Sequence, residues 1–172
     1  MKTIEIRRHS IRAQDGKLTQ QGVTLARMLG EKMGRFNRVV TSPLPRAIQT
    51  AVAMGFAVDA TAELLAGTEM GIQLECPFGS SFSEYAQAAR KKNSPDWQYA
   101  RALADFYHKL VDALPDHGSA LVINHSGVVE MSAAACLPKD NLDFLGDYVL
   151  YCEGVRLSWD NGAFTSAEII RV

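Results

Sequence analysis

Apolar and polar residues alternate along Thr3-Ile4-Glu5-Ile6 and the pattern breaks at Arg7-Arg8-His9-Ser10. This predicts a strand from Met1 to Arg8 whose last residues open out of a sheet. The period then changes: Leu25, Met28, Leu29 and Met33 recur at helical spacing within Leu18 to Gly34, with Thr19 placed to cap and Gly30 and Gly34 as weak points or an end. Val39-Val40 predicts a second short strand and Pro43 to Met54 a second helix. Strand, helix, strand, helix favours a parallel sheet with right-handed crossovers. Leu64 to Ser94 is punctuated by Gly67, Gly71, Pro77, Gly79, Ser80 and Ser81 and predicts only a short helix within Ser83 to Lys92. After Pro95, one stripe of Asp96 to Leu114 carries Trp97, Leu103, Tyr107, Val111 and Leu114, a core face rather than a cofactor box. Ser119 to Asn124 is almost continuously apolar, as in a strand buried on both faces, and Val128 to Leu137 follows as a helix. Val155 to Trp159 and Phe164 to Val172 flank Asp160-Asn161-Gly162, a hairpin signal that completes the sheet edge antiparallel. The expected fold is α/β, a three-layer α/β/α sandwich around a mostly parallel sheet.

At 172 residues the chain suits one domain, 1–172, better than two. A formal net charge of -1 exerts no overall pull toward nucleic acid or an anionic membrane, although Arg7, Arg8, Arg12, Lys17, Arg27 and Lys32 make the first third locally basic. Cys76, Cys136 and Cys152 lack metal-type spacing, and a reduced cytoplasm is the expected compartment. No apolar run approaches the roughly 20 residues of a membrane helix.

Three short apolar runs end in the same way. Met1 to Arg8 ends in Arg8-His9, Arg38-Val39-Val40 leads into Thr41-Ser42-Pro43-Leu44-Pro45-Arg46-Ala47, and Ala120 to Ile123 leads into Asn124-His125-Ser126-Gly127. Basic side chains at the carboxyl ends of strands are where an α/β fold can hold an anionic phosphate. A lone His or Arg at such a place is usually an ordinary surface residue, but three equivalent placements form a pattern. The chain resembles the histidine phosphatase superfamily, which includes phosphoglycerate mutase-like enzymes and short phosphohistidine phosphatases. Arg8-His9-Ser10 is similar to its Arg-His-Gly signature and Leu18-Thr19-Gln20-Gln21-Gly22 to its Leu-Thr-x-x-Gly helix start. Thr41 to Ala51 resembles its Ser-Pro-Leu-x-Arg-Ala-x-Gln-Thr-Ala block, and Asn124-His125-Ser126 its second histidine motif.

A neutral imidazole can attack phosphorus and split phosphoryl transfer into two easier steps, which makes His9 the expected nucleophile. Arg8 and Arg46 would meet the charge on the phosphoryl oxygens with planar guanidinium forks, and His125, ahead of a helix N-terminus, would donate to one of those oxygens. The resemblance implies the same roles for these four positions. Thr41 and Ser42 sit near the expected pocket, Ser42 as a phosphate contact or simply as a helix cap. Arg12 lies near its mouth. Arg7, by strand alternation, is expected to be a surface or sheet-covering residue, and His108 and His117 to be solvated. The family usually supplies a carboxylic acid between the second arginine and the second histidine. Here that position holds Ala66, and Glu69, on Gly67-Thr68-Glu69-Met70-Gly71, is the chosen displaced acid, with Glu63 behind it. Ser126 takes the place of the aspartate of the phytase-like branch, and Ser10 that of a glycine. A neutral His9 beside a charged His125 implies a bell-shaped pH profile. No P-loop, dinucleotide fingerprint or metal-ligand cluster is present, so neither metal nor cofactor is expected. The expected activity is a metal-independent phosphatase acting on a phosphorylated small molecule or phosphoprotein. Mutase-like transfer ranks lower for so short a chain, and the competing class is a non-catalytic phospholigand-binding domain.

Overall fold

The computed structural model describes residues 1–172 and places the opening strand, β1 (Lys2–Arg8), inside a six-stranded sheet. Helix α1 (Gln20–Gly30) starts where Thr19 accepts the Gly22 N–H. Gly22 is there for proximity: a Cβ at that position would lie 2.2 Å from the Ile11 carbonyl oxygen. Strand β2 (Arg38–Thr41) leads to α2 (Pro45–Ala53), with Pro45 in the first turn, where its missing N–H costs nothing. Strand β3 (Ala60–Thr61) is followed by a 3₁₀ segment, Glu63–Met70, kinked at Gly67. Helix α3 (Phe82–Arg90) opens with a Ser81/Glu84 capping box and α4 (Pro95–Asp112) with a Ser94 cap. Strand β4 (Ser119–Asn124) precedes α5 (Val128–Cys136), and β5 (Gly154–Asp160) and β6 (Ala163–Ile170) close the chain. Their turn has positive φ at Asn161 and Gly162, 50° and 83°, as a type I′ hairpin needs.

The strand order is β3-β2-β4-β1-β5-β6, parallel from β3 through β1 and antiparallel at β5 and β6. Alternation along β4 builds the three layers. Leu121 and Ile123 pack with Ala26, Ala47 and Ala51 of α1 and α2, while Ala120 and Val122 join Ile4, Ile6, Leu103, Tyr107 and Met131 in the larger core on the side of α3, α4 and α5. All nine residues of α5 are buried. No helix is long and apolar enough to cross a membrane.

Three findings differ from the sequence reading. Helix α1 ends at Gly30, short of Gly34. Strand β3 was not expected, since its two residues are both exposed and carry no apolar pattern. Arg7 is not a surface residue: it is buried at 6 % exposure, with Nε donating to Glu5 (2.6 Å) and Nη1 to the Cys152 carbonyl (2.7 Å). Its face of β1 is covered, and a charge there persists only because it is paired.

Register decides what meets at the carboxyl edge. Arg8 pairs with Asn124 and Thr41 with Ile123, so His9, Ser42 and His125 emerge side by side from three neighbouring strands.

Candidate active site

His9 is 4 % exposed, and its backbone N–H donates to the Asn124 carbonyl at 2.9 Å. Its Nδ1 lies 2.7 Å from the Ser10 carbonyl oxygen. A carbonyl can only accept, so Nδ1 carries the proton and Nε2 keeps its lone pair. Arg46 Nε donates to that Nε2 at 3.2 Å. Ser10 does not adopt a left-handed φ, its N–H donates to Thr50 Oγ1 and its hydroxyl to the Gly22 carbonyl. A serine is therefore accommodated at this position.

Arg8 donates from Nη1 to the Val149 carbonyl (3.0 Å), and its guanidinium lies over the Tyr151 ring at 4.4 Å. The Tyr151 ring is also 5.8 Å from that of His9. Arg46 is buried in the first turn of α2, and Glu69 Oε1 meets its Nη2 at 2.9 Å while remaining half-exposed. Burial pulls both guanidinium pKa values down, at Arg46 against the pull of Glu69, yet a guanidinium stays charged through the physiological range.

The His125 ring is 5.1 Å from that of His9, with Nε2 hydrogen-bonded to Ser42 Oγ at 2.8 Å and Nδ1 enclosed without a partner. Ser42 is fully buried behind His125 and does not line the cleft, so its hydroxyl serves the histidine and not a phosphate. Burial, followed by the positive charges of Arg46, Arg8 and Arg12, lowers the pKa of His9 to about 3, even with the Ser10 bond opposing. Burial, then His9 and the same arginines, lowers that of His125 to about 2. The expectation of a charged His125 is thus corrected: both imidazoles are neutral near pH 7.

Glu130, fully buried in α5, accepts from the Gly127 N–H (2.5 Å), the Val149 N–H (2.7 Å) and the Ser126 hydroxyl (3.5 Å). It joins the helix start behind His125 to the segment whose carbonyl holds Arg8. Burial raises its pKa despite these bonds.

These groups form the base of a cleft of about 320 Å³, lined by Arg8, His9, Arg46 and His125, with Glu69 and Arg12 at its side. Ala66 lines it at the position where an acid was expected, and Glu63 does not. Glu69 stands on the second part of a kinked 3₁₀ segment rather than on a free loop. Thr41 is turned away, its hydroxyl on the Ser42 carbonyl. His108 lies against Trp159 and Phe164, with ring centroids at 5.0 and 5.5 Å, outside the cleft. His117 is exposed. Sequence reasoning missed Tyr151 and Phe78, which stand in segments without periodicity or motif, and Tyr85, whose helix was expected but not its place at the cleft. Glu130 did carry a signal, a carboxylate three residues after Gly127 at the start of an apolar helix.

A model of the histidine phosphatase superfamily (branch 1) matches residues 5–170. No curated protein sequence matches the chain. Among solved structures, it is similar to a phosphoserine phosphatase from Entamoeba histolytica in complex with 3-phosphoglyceric acid, at 15 % identity and a TM-score of 0.69, covering 100 % of this chain and 98 % of that one. It is also similar to the mycobacterial glucosyl-3-phosphoglycerate phosphatase, at 17 % identity and a TM-score of 0.64, covering 97 % and 96 %. At these identities the likeness establishes the fold.

Proposed function

The chain belongs to the histidine phosphatase superfamily, and we propose that it is a metal-independent phosphatase that hydrolyses a phosphomonoester, or a phosphohistidine, through a covalent phosphate on His9. The observation that carries this reading is the bond from His9 Nδ1 to the Ser10 carbonyl, which leaves Nε2 as a lone-pair nitrogen against the Arg46 guanidinium, in a cleft that Arg8 also lines. The lone pair attacks phosphorus, the bond from phosphorus to the leaving oxygen breaks, and that oxygen takes a proton from Glu69. Water then attacks the phosphohistidine, gives its proton to the Glu69 carboxylate, and inorganic phosphate departs with Nε2 restored. Arg8 and Arg46 neutralise the phosphoryl oxygens, and a neutral His125, oriented by Ser42, donates one N–H. Two guanidinium groups and two imidazoles supply the donors and charge that the transfer requires. A phosphate dianion brought to Arg46 competes with Glu69 for the same guanidinium. Phosphorylated small molecules, the class named for the two solved relatives, are the proposed substrates.

The test is rapid quench with a ³²P-labelled aryl phosphate followed by mass mapping. An acid-labile, base-stable label on His9, and loss of turnover in His9→Ala, are expected. A label on another residue, or full activity in His9→Ala, overturns the assignment. Vanadate binding without turnover of any phosphoester identifies a phospholigand-binding domain instead.

A further inference from the structure

Above the phosphate-facing base, the cleft has walls of a different character. Leu74, Pro77, Phe78, Tyr85, Ala66 and Val128 supply their apolar part. Three polar side chains of the same walls are already engaged, while Thr68 stands exposed among them. The Tyr85 hydroxyl donates to the Pro77 carbonyl at 3.3 Å, Glu75 holds Lys91 Nζ at 2.6 Å, and the Ser126 hydroxyl is turned to Glu130. Asp96 fixes this geometry from below, accepting the N–H groups of Glu75 (2.8 Å) and Cys76 (3.1 Å) while 1 % exposed, so the wall is tied to α4. At its rim the Phe78 ring is 75 % exposed, although the surrounding segment is anchored. A large apolar ring held in water beside a cleft is a contact surface in waiting.

Charge narrows the choice further. Beyond Arg8 and Arg46 the only cation lining the cleft is Arg12, and the carboxylates of Glu69 and Glu75 stand beside it. A second anionic group on a substrate would therefore have Arg12 as its one unpaired cation, beside two carboxylates that Arg46 and Lys91 already hold. A polyol would lose water from its hydroxyls and find the Tyr85, Glu75 and Ser126 groups already bonded, a cost that an apolar group avoids.

Resting on the phosphatase reading above, we propose that the substrate is a small phosphomonoester whose leaving group is apolar or aromatic and carries no second anion, with Phe78 as the specificity-determining contact. Phosphoglycerates and sugar phosphates are then the discriminated class. The volume of about 320 Å³ suits a phosphoryl group with one compact ring or short alkyl chain.

Benzyl phosphate, glycerol 1-phosphate and 3-phosphoglycerate separate the possibilities, because all three expel an alkoxide and differ mainly in what the wall must accommodate. The expected result is a kcat/KM for benzyl phosphate at least about tenfold above the other two. Phe78→Ser should collapse that ratio toward one, while the vanadate inhibition constant, set at the base of the cleft, stays within about twofold. Equal kcat/KM for the three substrates, a preference for 3-phosphoglycerate, or a Phe78→Ser variant that slows all three alike would overturn the proposal and leave the phosphatase reading standing. Absence of both turnover and vanadate inhibition would remove the phosphatase reading, and this proposal with it.

Discussion

Two neutral imidazoles locked in a folded interior make stability depend on pH in a direction and amount that can be worked out. The folded-state pKa of His9 is about 3 and that of His125 about 2, whereas an unfolded histidine titrates near 6.5. Below pH 6.5 the unfolded chain therefore takes up protons that the folded chain refuses. Stability from these two groups is fully present above about pH 7 and is lost progressively as the pH falls toward the folded values. Between pH 7 and pH 5 each histidine contributes a loss of about 2 kcal/mol, and the pair about 4 kcal/mol, a large share of a domain's usual 5–15 kcal/mol. Urea titrations in phosphate-free buffer at several pH values measure this, phosphate being omitted because a ligand of the folded state stabilises it by mass action. Carboxylates also titrate at the acid end, so the comparison that isolates the histidines is with His9→Asn and His125→Asn. Each variant should show a pH 7 to pH 5 decline about 2 kcal/mol shallower than wild type, whatever its stability at pH 7. If both variants decline as steeply as wild type, the histidines titrate normally in the folded protein and the neutral-pair description of the site is wrong.

The other predictions are simpler. Arg46→Lys keeps a positive charge but cannot span Nε2 of His9 and the Glu69 carboxylate together, and should weaken vanadate inhibition about 10- to 100-fold; an unchanged inhibition constant would remove Arg46 from the phosphate pocket. Glu69→Gln should slow hydrolysis of an alkyl phosphate by about 10²–10⁴ while largely sparing nitrophenyl phosphate, whose phenolate needs no proton, and equal effects on both would deny Glu69 the role of acid. Glu130→Gln must set an amide N–H against one of two buried backbone N–H groups and should cost about 1–3 kcal/mol in urea unfolding; a loss below about 0.5 kcal/mol would show that the bonds to Gly127 and Val149 contribute little.

The parts of the site that were legible in the sequence share one property: position and chemistry are adjacent in the chain. His9 follows β1 directly, Arg46 lies in the first turn after β2, and His125 follows β4, so the apolar runs that predict the strands also deliver the side chains to the carboxyl edge. The hairpin was equally local, written in Asn161-Gly162. What failed depends on covering and not on spacing. Alternation puts Arg7 on the opposite face from Arg8 but does not say what packs over that face, and so its burial against Glu5 was invisible. The charge state of His125 was misjudged for the same reason, because the arginines nearby can be read from the sequence and the burial that dominates the shift cannot. Tyr151 belongs to the base of the site through a return of the chain just before β5, a contact across more than a hundred residues that no local pattern encodes.

The contacts that orient the phosphate-facing groups fall into two kinds with different consequences for substitution. His9 Nδ1 is fixed by the carbonyl of Ser10, Arg8 Nη1 by that of Val149, and the neighbouring Arg7 by that of Cys152. A backbone acceptor survives a change of side chain, so the tautomer of His9 and the direction of the Arg8 guanidinium are set by the course of the chain after β1 and before β5. Any residue at 10 or 149 that keeps that course preserves them. Ser42 on His125 and Glu69 on Arg46 are the opposite case, side chain meeting side chain, where one substitution removes the contact outright. The orientation of His125 and the pairing of Glu69 with Arg46 are thus exposed to sequence change in a way that the tautomer of His9 is not. A fold kept at 15–17 % identity to its solved relatives leaves room for side-chain contacts of this second kind to change while backbone contacts of the first kind are kept. On the proposed mechanism, variation in this architecture should therefore alter which phosphoester reacts, and how its leaving group is protonated, before it alters the atom that attacks.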